Sequence, residues 1–182
     1  MVNRYQLKLT GLQQGILKLL FIKAGISLNQ RQVSQILEVS PPAVMKALPK
    51  LEKGNFIKLQ QDKETKRWSI ELNRYNPRVM QLKRVDNLKN IYESGLADFL
   101  EKEFAGATII LFGSYSRGED IINSDIDMAI VGRKDKLLDL IKYEQILERK
   151  INLNFYETFH KVHKHLKENL CNGIVLIGGI EL

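Results

Sequence analysis

Leu111-Phe112-Gly113-Ser114-Tyr115-Ser116-Arg117-Gly118-Glu119-Asp120-Ile121-Ile122-Asn123-Ser124-Asp125-Ile126-Asp127 is the stretch that decides how this 182-residue chain is read. Before it, Thr108 to Phe112 is an apolar run of the length of a buried strand. Gly113-Ser114 follows at once, then ten mostly polar residues, then Asp125-Ile126-Asp127-Met128-Ala129-Ile130-Val131, which reads as a second strand. Side chains alternate along a strand, so Asp125, Asp127 and Ala129 share one face and Ile126, Met128 and Ile130 the other. Two carboxylates held that close repel unless a cation lies between them. Hard oxygen ligands suit Mg2+ or Mn2+. Gly113 lets a phosphate approach the backbone, and Ser114 opens an expected helix whose hydroxyl and N–H groups face an anion. Arg117 is a further candidate for neutralising phosphate charge. Metal ligands beside a phosphate cradle point to phosphoryl chemistry.

At these residues the chain resembles the polymerase-beta-like nucleotidyltransferase superfamily, and most of all the minimal nucleotidyltransferases. The shared residues are Gly113-Ser114, Arg117-Gly118 and Ser124-Asp125-Ile126-Asp127. The resemblance implies a βαβαβ core, NTP as substrate or ligand, and transfer of a nucleoside monophosphate to a hydroxyl acceptor. It implies that Asp125 and Asp127 are catalytic and hold two metal ions, with Gly113, Ser114, Arg117 and Ser124 around the nucleotide. Some minimal nucleotidyltransferases modify a partner protein, so a protein acceptor belongs among the expected partners. The superfamily also places a third carboxylate on a later strand. Here, after a helix-like stretch from Lys136 to Lys150, that strand reads Ile151-Asn152-Leu153-Asn154-Phe155-Tyr156. Asn152 takes the expected ligand position. An amide oxygen can ligate a metal but brings no charge and cannot act as a base. Glu157 falls on the core-side register.

Upstream, the chain reads differently. Thr10 is an expected N-cap, followed by Leu12, Ile16, Leu19, Leu20 and Lys23 at helical spacing, with Gly25 as the stop. A short helix fits Asn29 to Leu37, with Val33, Ile36 and Leu37 inward. Ser40 caps a third, with Pro41 and Pro42 in its first turn, where a missing N–H costs little. Ala43, Val44, Ala47, Leu48 and Leu51 form its apolar stripe, Gly54 ends it, and Pro49 is expected to kink or shorten it. Phe56–Leu59 and Trp68–Leu72 read as paired strands around a charged loop. This order, and residues 46–57 in particular, is similar to MarR/ArsR-like winged helix-turn-helix DNA-binding domains. The similarity implies double-stranded DNA as partner. The candidate contacts are Ser40, Lys46, Lys50 and Lys53 on the third helix and Lys63, Lys66 and Arg67 in the wing loop. Lysines there suit phosphates more than base edges, so binding should depend strongly on salt.

The charge distribution agrees. Residues 1–78 carry 14 Lys and Arg against 5 Asp and Glu, whereas residues 79–104 carry 4 against 5 and residues 105–182 carry 10 against 11. The whole surplus of +7 thus stems from the N-terminal part.

From Arg78 to Phe104, Val79, Leu82, Val85, Leu88, Tyr92, Leu96, Phe99 and Phe104 recur near the helical period, predicting one long connecting helix and, through it or the winged helix, a homodimer. The expected class is therefore α+β, with a winged helix over residues 1–76, a connecting helix over 77–104, and a mixed-sheet nucleotidyltransferase-like domain with flanking helices over 105–182. Met1-Val2-Asn3-Arg4-Tyr5-Gln6 has no apolar signal core and no run approaches a membrane span, which predicts a cytoplasmic protein without a membrane partner. The one cysteine, Cys171, excludes an internal disulfide and is expected in the core. His160 and His163 are expected on one face of a solvated basic helix, and Gly173 to Ile180 as a last strand and turn.

Overall fold

The structure is a computed structural model and describes residues 8–180; the N-terminal residues read for a signal core lie outside these. The chain divides into two compact units, Met1–Val79 and Met80–Leu182.

The first unit starts with α1 (Gly11–Ile22), entered through a capping box. The Gln13 N–H donates to Thr10 Oγ1 at 3.3 Å and the Thr10 N–H to Gln13 Oε1 at 2.9 Å. The buried Gln13 amide also donates to the Ala47 carbonyl at 3.2 Å, so the cap residue ties α1 to the third helix. Asn29 and Gln32 repeat the box at α2 (Gln30–Ile36), and Ser40 caps α3 (Pro41–Lys53). Ile36 departs from expectation: it is exposed, and Val33 carries the inward face. Pro49 departs too, because α3 runs through it to Lys53. Pro49 is exposed while Val44, Ala47, Leu48 and Leu51 are buried opposite, and burial of that face outweighs one missing backbone bond.

β1 (Ile57–Gln61) and β2 (Trp68–Leu72) form an antiparallel hairpin. Leu28 adds an antiparallel bridge to Ile70, with backbone bonds of 3.0 and 2.8 Å. Three helices, a bridging residue and a hairpin make this unit a winged helix.

The stretch expected as one connecting helix is two, α4 (Pro77–Glu93) and α5 (Leu96–Glu103), separated by Ser94 and a left-handed Gly95 at φ 76°. Apolar periodicity continued across the break, but Val85 and Tyr92 are exposed. The inward positions of α4 include Lys83 and Asn87.

Next come β3 (Thr108–Phe112), α6 (Gly113–Arg117), β4 (Ile126–Val131), α7 (Ile141–Leu147), β5 (Ile151–Tyr156), a 3-10 turn (Phe159–Lys161), α8 (Lys164–Cys171) and β6 (Ile174–Ile177). The helix expected over Lys136–Lys150 is only α7. The sheet order is β5-β4-β3-β6, with β4 parallel to β5 and antiparallel pairs elsewhere. Both faces are covered. Ile109, Leu111, Ile126, Met128 and Ile130 pack with Leu96 and Leu100 of α5 and with Leu147. Ile110, Phe112 and Ala129 pack with Phe159, Val162 and Leu170. Cys171 is exposed rather than core, since Leu170 takes the inward position of α8. His160 lies in the 3-10 turn and His163 caps α8, so they do not share a helix. Among the described residues no helix is long and apolar enough to cross a membrane.

Candidate nucleotide site and DNA-facing surface

Strand register assembles the candidate site. Phe112 pairs with Asp127 across β3 and β4, and Asp127 pairs with Asn152 across β4 and β5. Phe112, Asp127 and Asn152 therefore lie at one level on three adjacent strands, with Gly113 just after β3 and Asp125 just before β4. Gly113 has φ 76°, a conformation few L side chains adopt. A Cβ there would also stand 2.7 Å from Asp127 Oδ2, so the glycine gives the carboxylate its place as well.

Asn152 is turned toward the acids. Its Nδ2 donates to Asp125 Oδ2 at 3.1 Å and to Asp127 Oδ1 at 3.3 Å. One amide group thus holds two carboxylates together, as a cation otherwise would. Asn154 points its amide at the Met128 carbonyl, 3.4 Å away. Glu157 is remote: β5 runs parallel to β4, so Glu157 follows Tyr156 at the far end, where it is exposed and paired with Lys161.

The remaining expected nucleotide contacts have present partners. Arg117 Nε donates to Glu119 Oε2 at 2.8 Å on the surface. Ser124 Oγ accepts from the Ile121 N–H at 3.0 Å and so shapes the turn leading into Asp125. Ser114 is half-buried, and its carbonyl accepts from the Glu119 N–H at 2.9 Å. Burial, then the Asp120 charge, push the Tyr115 phenol well above its ordinary range, so it stays protonated.

The donor set fits one hard divalent cation: two carboxylates, and an amide oxygen once Asn152 turns over. Among the described residues no three His, Cys, Asp or Glu side chains gather where a metal could sit, so a cation here would rest on two carboxylates and one amide.

Sequence reasoning missed a buried group beside this site. Asp120 accepts from Lys83 Nζ, from Asn87 Nδ2 at 2.7 Å and from Arg149 Nη2 at 3.5 Å. Burial pulls the Lys83 ammonium below its ordinary range, and Asp120 works against that shift. The available signal was a lysine interrupting the apolar stripe of residues 78–104.

In the first unit, Lys46, Lys50 and Lys53 are exposed at helical spacing on α3, facing away from Val44, Leu48 and Leu51. Lys50 Nζ donates to the Lys8 carbonyl. Ser40 Oγ accepts from the Ala43 N–H at 3.4 Å, so it caps the helix. Lys63, Lys66 and Arg67 are exposed on a turn that Asp62 organises, its Oδ1 accepting from the Glu64 and Thr65 N–H groups at 3.1 and 2.6 Å. Arg31, missed from sequence, shares a polar groove of about 460 Å3 with Lys66 and Arg67. The hairpin folding back toward α2 creates that proximity, which no local spacing reveals.

Residues 93–177 match the family model described as nucleotidyltransferase domain, from the last residue of α4 to the last of β6. The C-terminal part of the chain thus carries a nucleotidyltransferase domain. Solved structures similar to this chain include a repressor and a transcription regulator. A mutant MepR from a multidrug-resistant S. aureus clinical isolate has 23% identity and a TM-score of 0.37, over 42% of this chain and 56% of that one. The adhesin competence repressor AdcR of Streptococcus pyogenes has 22% identity and a TM-score of 0.42, over 57% and 72%. The S. aureus MepR–DNA complex has 21% identity and a TM-score of 0.38, over 52% and 81%. This chain spans little more than half the length of the first of these. No curated protein matches the chain.

Proposed function

We propose that the protein is a DNA-binding regulator whose nucleotidyltransferase domain binds a nucleoside triphosphate with one divalent cation, Mg2+ or Mn2+, and signals that occupancy rather than consuming it. The observation that carries this reading is the Asn152 amide donating to both Asp125 and Asp127. Gly113 lets the triphosphate reach the backbone, Ser114 and Ser124 border it, and Arg117 exchanges Glu119 for a phosphate. Asp125, Asp127 and a reoriented Asn152 hold the cation, which when bound offsets phosphate charge. What the set lacks is a base: Asn152 cannot take a proton from an acceptor hydroxyl. Lys46, Lys50, Lys53, Lys63, Lys66 and Arg67 supply the phosphate contacts to double-stranded DNA, and a homodimer doubles the recognition area.

Calorimetric titration with each of the four ribonucleoside triphosphates and Mg2+ tests the nucleotide half, and DNA binding with and without the best of them tests the coupling. The reading expects nucleotide binding that changes DNA affinity, with no labelled nucleotide transferred. A second reading, active transfer to a hydroxyl, is favoured by the close approach of Gly113 to Asp127, which leaves the cradle intact. Incorporation of label by the wild-type protein would establish it in place of the first.

A further inference from the structure

Asp120 is 1% exposed, Lys83 0%, Asn87 4% and Arg149 5%. Their connections matter more than their burial. Lys83 and Asn87 project from α4. Asp120 lies in the loop between α6 and Asp125, and Arg149 stands three residues before Asn152. One carboxylate therefore joins the segment that ends in Asp125 to the segment that ends in Asn152, and both to a helix. A second contact repeats the arrangement: Gly118, at φ 75°, packs so close to α4 that a Cβ would meet Met80 O at 2.6 Å and Arg84 N at 2.7 Å. Asn87 Nδ2 also donates to the Tyr115 carbonyl at 2.9 Å, fixing α6 itself.

A buried ion cluster is an expensive way to gain stability, because desolvation cancels most of the attraction. What it provides is a fixed geometry. On the reading that Asp125, Asp127 and Asn152 hold a cation with a nucleotide, we infer that Asp120, held by Lys83, Asn87 and Arg149, is the positioning residue that sets the spacing between the two aspartates and Asn152. Asp120 never touches the ligand. It acts through the two chain segments that carry the ligating side chains.

The test compares wild-type protein with Asp120→Asn, which removes the charge at constant size, and Asp120→Glu, which keeps the charge and lengthens the arm. Binding of Mn2+ with the best-bound ribonucleoside triphosphate is followed by electron paramagnetic resonance well below each protein's unfolding temperature. Circular dichroism and heat unfolding accompany each titration. Both variants should fold and bind about tenfold or more weakly, the scale of changes that disturb ligand orientation. Asp120→Glu should lose affinity even where its unfolding temperature is near wild type, which a purely structural role would not produce. Folded variants that bind as tightly as wild type overturn the inference alone. Wild-type protein that binds no Mn2+–nucleotide defeats the nucleotide reading, and this inference with it. If neither variant folds, hydrogen exchange on the wild type decides: the Ser124 and Ile126 amides should exchange as slowly as those of central β4, and fast exchange there overturns the inference.

Discussion

At Gly113 two constraints meet, a left-handed backbone and a neighbouring carboxylate oxygen where a Cβ would stand. Gly113→Ala should therefore destabilise the protein by about 1–3 kcal/mol, the range for such backbone strain. It should also weaken nucleotide binding by pushing Asp127 aside; heat unfolding and calorimetry together check this. Asn152→Asp is the complementary change. It replaces a bridging amide with a third carboxylate, so the variant should unfold at lower temperature without metal and gain more than wild type when Mn2+ is added, as preferential binding to the folded state requires. Equal Mn2+-dependent shifts in the two proteins would contradict the placement of Asn152. The aspartates and Asn152 were legible in sequence because a strand alternates with period two and the parallel register of β4 and β5 preserves that alternation. The direction of the Asn152 amide was not, since it depends on two carboxylates from another strand.

At the scale of elements, α3 and the wing turn carry the sharpest expectations. Pro49→Ala should stabilise α3 by roughly 1 kcal/mol or more, given that proline costs about 3 kcal/mol relative to alanine in a helix interior. A fall in unfolding temperature would show that Pro49 has a role the fold does not reveal. In the wing, the Thr65 backbone N–H and hydroxyl hold the Asp62 carboxyl below its ordinary value. A depressed carboxylate contributes order above its unfolded pKa and loses it as pH falls through the folded value. Nuclear magnetic resonance should show the Thr65 amide protected at neutral pH and released only below the usual carboxylate range, with Asp62→Ala released throughout. Helix caps at Thr10 and Ser40 were legible because they are local. The break in the connecting helix was not, because Leu96 resumes the apolar period directly after Gly95. Nor was the inward Lys83, whose partner Asp120 lies 37 residues away.

For the whole molecule, the charge asymmetry matters most. The first 78 residues hold the entire positive surplus, while the nucleotidyltransferase domain is close to neutral. DNA affinity should fall steeply with salt, and changing Lys63, Lys66 and Arg67 to Glu should weaken binding across sequences and flatten the salt slope by about one for each phosphate that is no longer neutralised. Fluorescence anisotropy over a salt series measures this, and a slope unaffected by the three changes would move DNA recognition away from the wing. The pairing of a winged helix with a nucleotidyltransferase domain was visible in sequence from the order of elements and from the Gly-Ser and Asp-x-Asp string. The Arg31 groove was not, because it forms only where α2 and the hairpin turn meet.

On the proposed reading, Asn152 stands where a third acid would, so the nucleotidyltransferase domain holds a triphosphate with a single cation. The count of Mn2+ bound per chain in the presence of saturating nucleotide, read by electron paramagnetic resonance, tests it most directly. One ion per chain is expected for the wild-type protein and two for Asn152→Asp. Two in the wild type, or none, would contradict it.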